Sequence, residues 1–370
     1  MKRFKKFIAL ILLAATLCFL LPSCKTDLGE PVMTLGDTVI TENMLEFWLS
    51  RYKAYIVNYH LNGKDNKSFW DQKVSGSDKT WNETFTEFII DNAKNYCAAL
   101  YLFDELGLSV SDNVKKQIDD EIENLLINQA DGNKNTFNEI LSQYGVNMDI
   151  LRELYLLEEK VEFVQTYLYG PNGVEPISTE TKEQYYKDNY VRFKHVFLYL
   201  NNRPAFDADG NYKYNSDGTV AYREMSTEEN DKVREKANNL LADIKAGNFT
   251  FEEVLEYHGE DIANDEYING YYLSESSTYI EEVVKALDEM EVGEIRLVES
   301  KYGIHIIRRY ELDAGAYSKA ANKDFFSDFE SSLIAKIFNA RLEKYKNQIV
   351  IDEERLSAYC IKDANANYNY

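Results

Sequence analysis

Histidine, cysteine and proline are scarce in this chain, with four, four and five copies among 370 residues. So little proline argues against Pro-rich linkers and for a chain built mostly of helices and strands. The cysteines give no disulfide framework, and no pair shows Cys-x-x-Cys spacing. Cys18 falls in an apolar leader, Cys24 follows it, and only Cys97 and Cys360 remain, their pairing left open. Cationic residues are also short, 41 Lys and Arg against 63 Asp and Glu. A surface so acidic excludes a nucleic-acid partner, because phosphate binding needs clustered positive charge. No internal repeat of the kind that builds solenoid surfaces is present. No serine or cysteine stands near two histidines in the manner of a nucleophilic triad.

Apolar residues, by contrast, make up 45% of the chain, and tyrosine alone contributes 28 copies. That suffices for real hydrophobic cores, and the length allows two or three domains. Met1-Lys2-Arg3-Phe4-Lys5-Lys6 is a basic start, residues 7–21 are apolar apart from Thr16, and Leu21-Pro22-Ser23-Cys24 follows. The run is too short for a spanning helix and reads as a signal peptide over residues 1–23. Its ending resembles the lipobox of bacterial lipoproteins, in which the cysteine, here Cys24, carries the lipid. Whether the leader is cleaved or kept as an anchor, the expected location is the extracytoplasmic face of the cell membrane. Loss of the leader takes four basic residues with it and leaves a net charge of −26.

Residues 24–190 read as a helical domain. A strand-like piece over 32–40 precedes helical periodicity at 44–56, 81–106, 114–126, 136–144 and 148–169. Gly170-Pro171-Asn172-Gly173 is the clearest linker signal in the chain. Residues 191–311 change character, with order β-α-α-α-β-β. Between the first strand and the next helix, Asp209-Gly210 and Asp217-Gly218 mark a hairpin-rich insertion over 201–225. The glutamate that a calcium loop needs at its twelfth position is replaced by Gly218, so Asp207-Ala208-Asp209-Gly210-Asn211 reads as a plain turn. Ser226-Thr227-Glu228-Glu229 and Thr250-Phe251-Glu252-Glu253 are capping boxes opening two helices. Residues 312–370 hold one more amphipathic helix, at 324–347, and a tail over 361–370 that reads as frayed. The apolar face of that helix needs a partner, and the earlier helices are the obvious one. The expected class is therefore α+β, with the α/β segment inserted in a discontinuous all-α domain.

Two of the four histidines sit in strands. Val191-Arg192-Phe193-Lys194-His195-Val196 alternates so that Phe193, His195, Phe197 and Tyr199 share one face, and Tyr302-Gly303-Ile304-His305-Ile306-Ile307 is a second apolar strand. A lone strand histidine is commonly a core residue. Two of them bracketing one compact segment point further.

With these two strands and the Glu291-Val292-Gly293-Glu294-Ile295 turn, residues 191–311 resemble a parvulin-type peptidyl-prolyl isomerase domain. Leu106-Gly107-Leu108-Ser109-Val110-Ser111-Asp112 and the Tyr185-Tyr186 helix resemble the chaperone portion of PrsA- and SurA-like extracytoplasmic foldases. The resemblance implies a small mixed sheet with flanking helices and rotation about Xaa-Pro bonds. It implies His195 and His305 as a hydrogen-bonded catalytic pair and Asp261 as the best match for the family's Cys/Asp position, a neighbour taking it if the loop shifts by one. Phe197, Asn269, Tyr279, Val283 and Ser300 are implied as the substrate pocket. No bond is broken in such a rotation, so the reaction calls for neither metal nor cofactor. The implied partners are unfolded or partly folded exported proteins with Xaa-Pro bonds and the membrane, through a lipid on Cys24; a homodimer is left open.

The sequence departs from the family at the pocket. Glu266-Tyr267-Ile268-Asn269-Gly270 stands for Gly-Gly-Asp-Leu-Gly, Val283 for an aromatic, and Tyr279 for a methionine. A chaperone that holds clients on a degenerate parvulin platform is the alternative expectation.

Overall fold

The computed structural model describes residues 28–370; the leader and Cys24 lie outside the described residues. The chain forms two compact units, one of residues 177–333 and one that combines the residues up to Pro176 with Ile334–Tyr370. The sheet-bearing unit is thus an insertion in a discontinuous, mainly helical one, as the sequence led us to expect.

The helical unit is not all-α. Strands β1 (Pro31–Leu35) and β2 (Thr38–Thr41) form a hairpin, and β1 also pairs with β9 (Val350–Ile351), with Met33 opposite Ile351. A two-residue strand is invisible to periodicity, which is why β9 escapes a sequence reading. Helices α1 (Glu42–His60), α2 (Trp81–Glu105), α3 (Asp112–Ala130), α4 (Lys134–Ser142) and α5 (Met148–Tyr169) follow, with their apolar stripes turned inward. Side-chain caps set their starts: Thr80 and Glu83 form a reciprocal capping box on α2, and Ser111 and Asn147 cap α3 and α5. Phe47, Ala93, Cys97, Phe137 and Leu151 lie in the core without exposed surface. Cys97 is a free thiol that burial pushes up to about 12, so it packs as an apolar residue. Cys360 is free as well.

The tail is ordered, contrary to expectation. Ile361 and Tyr370 are buried in the helical core, and the chain is stitched down through its backbone. Ile361 N–H donates to Thr86 Oγ1 (3.0 Å), and Asn367 N–H to the Ser50 carbonyl (2.9 Å). The central fastener is Lys53, whose side chain is only 3% exposed. Its Nζ donates to the Lys362 and Ala364 carbonyls (both 2.8 Å) and pairs with Asp65 (3.0 Å). A polar tail reads as frayed because its partners lie some 300 residues away. Lys53→Met is expected to speed amide exchange over 361–370 by tenfold or more while the α2 and α5 amides stay protected, as hydrogen exchange would show. Unchanged protection of the tail would refute this role for Lys53.

The inserted unit begins earlier and ends later than the 191–311 reading. Helix α6 (Thr179–Asn189) opens it. Tyr186 is fully buried against Tyr317 and Phe326, and Tyr185 meets Phe329, so ring packing draws both flanks into this unit. Its sheet comprises β3 (Tyr190–Tyr199), β6 (Tyr271–Ser274), β7 (Ile295–Glu299) and β8 (Gly303–Tyr310), in spatial order β6-β3-β8-β7 and antiparallel throughout. The sequence order expected omits β6. Its four residues are tyrosine-rich and pair only with the first part of β3, Phe193 opposite Tyr271. Gly270, at φ +90°, lets the chain enter β6; a Cβ there would lie 2.4 Å from the Phe193 carbonyl.

One sheet face, with Val196, Leu198, Ile304 and Ile306, packs on α7 (Thr227–Ala246) and α8 (Phe251–His258) through Ala237, Leu240, Phe251 and Val254. Capping boxes at Ser226/Glu229 and Thr250/Glu253 start both helices, as their sequences indicate. The other face carries Phe193 and Ile307 beneath α9 (Glu281–Glu289), which contributes Val283, Ala286 and Leu287. The insertion is a nested hairpin. Strands β4 (Asn202–Pro204) and β5 (Tyr222–Glu224) form its base, and Phe206 bridges to Tyr212. Asp207 Oδ1 closes the first turn by accepting from Asp209 N–H and Asn211 N–H (2.9 Å each).

Candidate functional site

Register places the two histidines. In the β3/β8 ladder Phe197 lies opposite His305 and His195 opposite Ile307, so the histidines are diagonal neighbours on one face. Their side chains close that diagonal: Nδ1 of His195 and Nδ1 of His305 are 2.9 Å apart, with the ring planes within 12°. Both are buried, His305 completely.

Each ring makes one further hydrogen bond. His195 Nε2 lies 2.8 Å from Asp261 Oδ2, and His305 Nε2 lies 3.0 Å from Ser300 Oγ. Ser300 sits at the turn into β8, where its Oγ also accepts from Tyr302 N–H (3.2 Å) and its N–H donates to the Gly303 carbonyl (2.9 Å). Gly303 is required at that turn, since a Cβ would lie 2.3 Å from the Leu198 carbonyl and 2.4 Å from the Phe197 ring. The four side chains form an unbroken row, Ser300–His305–His195–Asp261.

Asp261 is fixed from three sides. Besides His195, Tyr271 OH donates to Oδ2 (2.7 Å) and Ala263 N–H to Oδ1 (3.0 Å). Burial pushes its carboxyl up, but these three donors outweigh burial and hold it down at about 2. Burial, and then the proximity of His195, holds His305 down at about 3, although Asp261 pulls it upward. Tyr271 is pushed above the phenol range by burial and by the Asp261 charge it faces.

These facts restrict the protons. The Asp261 carboxylate only accepts, so His195 Nε2 carries a proton, and His305 is neutral. Two arrangements, which differ by one proton, then satisfy the contacts along the row. In one, Ser300 donates to His305 Nε2 and His305 Nδ1–H donates to a neutral His195. In the other, His305 donates to Ser300 and accepts from a cationic His195 that is ion-paired with Asp261.

Asp261 is held where it is by the loop before it. Glu260 N–H donates to the Phe197 carbonyl (2.8 Å), and the Glu260 carboxylate accepts from Tyr199 N–H (2.9 Å). Glu260 thereby completes the edge of β3 beyond the end of β6. Nothing in the sequence singles out Glu260. Tyr271 was masked by the irregular look of its tyrosine-rich stretch; the strand start after Gly270 is the signal that marks it.

Of the other residues implied by the sequence, Phe197 flanks the pair, its ring 5.0 Å from His305. Tyr279 packs against Phe193 and Tyr271, at 5.5 and 5.9 Å. Val283 and Asn269 do not sit in an open pocket. Val283 has no exposed surface, because α9 presses it into the sheet beside Ile307. Asn269 is on the surface, and its carbonyl accepts from Arg192 Nε (2.7 Å).

The four-stranded antiparallel sheet thus carries a buried histidine pair linked to a loop carboxylate and a strand-end serine. Residues 219–311, which hold Asp261, Ser300 and His305, match the family model described as "Rotamase: PPIC-type PPIASE domain". The match starts inside the hairpin insertion, so β3 and His195 lie outside it and are joined to the site by geometry. No curated protein matches the chain. Solved structures similar to it include PrsA from Bacillus subtilis, 17% identical over 76% of this chain and 92% of that one, TM-score 0.23. Foldase protein PrsA from Streptococcus pneumoniae is 13% identical, covering 89% of this chain and 98% of that one, TM-score 0.22. Peptidyl-prolyl isomerase ESS1 from Candida albicans is 19% identical over 42% and 77%, TM-score 0.25.

Proposed function

We propose that this protein is a membrane-anchored extracytoplasmic foldase that holds unfolded exported proteins and isomerises their Xaa-Pro bonds, tethered by a lipid on Cys24. The row Ser300–His305–His195–Asp261 is the observation that carries the catalytic part. The anchoring part rests on the leader and the residues around Cys24.

Rotation about an Xaa-Pro bond must overcome a barrier of about 18–20 kcal/mol, most of it lost amide resonance. Catalysis therefore means favouring the twisted amide over the planar one. Asp261 is at the accessible end of the row, with 21% of its side chain exposed, and stays ionised far below neutral pH. A fixed negative charge beside the carbonyl of the residue that precedes proline disfavours the resonance form that places negative charge on that oxygen. The histidines and Ser300 act behind it, fixing its orientation within the sheet.

Asp261→Asn keeps an acceptor oxygen and removes the charge. It is expected to slow catalysed isomerisation by tenfold to a hundredfold with a small change in KM. Tyr271→Phe, which removes one of three donors, is expected to cost about threefold. A proline-limited refolding assay with residues 25–370 measures both. Absence of acceleration by the unmodified chain, or full activity of Asp261→Asn, would sink the catalytic reading. A second reading, holding without isomerising, is favoured by the burial of Val283, which withdraws a pocket wall from the proline. Suppressed client aggregation without any proline acceleration would mark it.

A further inference from the structure

A cleft of about 690 Å³ opens directly beside Asp261 and Asn264 and runs between α8 and the hairpin insertion. That is the size of a small-ligand or side-chain site. On the hairpin side its wall is Pro204, Phe206 and Tyr212, the two rings 5.0 Å apart and 44% and 37% exposed. Opposite stand Leu255 of α8 and Ile268, the latter 73% exposed. Large apolar side chains rarely stay so exposed around one concavity without an occupant.

The cleft is continuous with the histidine site. Tyr199 lines it, and the Tyr199 ring meets Phe197 at 4.8 Å, whose own ring meets His305 at 5.0 Å. Tyr199 also touches Tyr222 at the base of the hairpin, 6.2 Å away. The charged lining is mixed in sign. Lys194 and Arg203 share it with Glu252, Glu256, Glu260 and Asp261, of which Glu252 is paired with Arg308 and Asp261 is hydrogen-bonded to His195. A charged occupant of either sign would meet both attraction and repulsion, whereas a neutral ring would meet apolar and aromatic walls.

Building on the isomerase reading, we propose that the insertion over 201–225 is a specificity subsite. It holds, against α8, an aromatic side chain adjacent to the proline being isomerised. The substrate class would be exported chains in which Phe, Tyr or Trp neighbours proline.

The test uses the purified protein and a peptide set with Phe, Ala, Lys or Glu on either side of a single proline. Calorimetry gives Kd and NMR exchange gives the isomerisation rate for each peptide. The Phe peptide is expected to bind about tenfold more tightly than the Ala peptide at one of the two positions. The Phe206→Ser/Tyr212→Ser double variant is expected to bring that ratio close to one. Equal affinity across the set, a preference for Glu or Lys, or a Phe preference that survives in the double variant would each overturn the subsite. Selective binding of the Phe peptide without isomerisation would uphold the subsite and refute the catalytic reading. Isomerisation without selectivity would do the reverse.

Discussion

His305→Ala is expected to destabilise the 177–333 unit by roughly 3–5 kcal/mol and to abolish its catalysed isomerisation. The ring has no exposed surface, so its removal opens a cavity between β3 and the Ser300 turn. The variant also strands the buried His195 Nδ1, whose partner is on that ring, and takes one partner from Ser300 Oγ, which keeps Tyr302 N–H and the Gly303 carbonyl. A buried polar atom without a partner costs its desolvation, which adds to the lost packing. Hydrogen exchange of the β3 and β8 amides measures the loss. The helical unit supplies an internal control, because all three tryptophans, Trp48, Trp70 and Trp81, belong to it and report its unfolding separately by fluorescence. Amide exchange within tenfold of the unmodified protein would show that the histidine is dispensable to the fold.

Acid is expected to destabilise the same unit well before ordinary carboxylates titrate. His305 is held near 3 in the folded protein and has an ordinary value of 6.5. The unfolded chain therefore binds this proton more readily than the folded one. The stabilisation from the neutral, buried ring is fully present above about pH 6.5 and drains away as the pH falls toward 3. Across that window the slope is about 1.4 kcal/mol per pH unit, or roughly 3–5 kcal/mol in all. Asp261, held at about 2 against an ordinary 3.8, acts in the same direction only below pH 4. The polar groups bonded to the ring are His195 and Ser300, and the Phe197 ring packs beside it at 5.0 Å. Urea unfolding of the 177–333 unit, followed by NMR at pH 7, 5.5 and 4.5, is expected to show the midpoint falling with each step. A flat profile between pH 7 and 4.5 would mean that His305 is already charged, or exposed, in the folded state.

The acid window could not be read from the sequence, although its residues could. His195 and His305 were legible because strand alternation fixes which face a side chain occupies, and that signal is local. Ser300 and Asp261 were legible through the spacing of the family motif. Tyr271 and Glu260 were not, since their roles depend on where a loop of some ten residues meets the unpaired edge of β3. The tail failed for the same reason. Its fastener, Lys53, looks like any helical lysine until the chain returns to it from residues 362 and 364.

By itself, then, the sequence determined the order of the longer helices and strands, without β6 and β9, the insertion of one unit into another, the acidic surface and the four side chains of the row. The elements and the charge follow from periodicity, capping residues and composition, which act over a few neighbours; the four side chains are what the family resemblance implies. Tertiary structure alone decided the diagonal register that brings Nδ1 within 2.9 Å of Nδ1, and the burial that keeps His305 neutral. It also decided the donors that keep Asp261 ionised and the cleft that the hairpin raises beside it. Desolvation and hydrogen-bond geometry depend on every group that arrives at one place, and the order of residues along the chain does not record that.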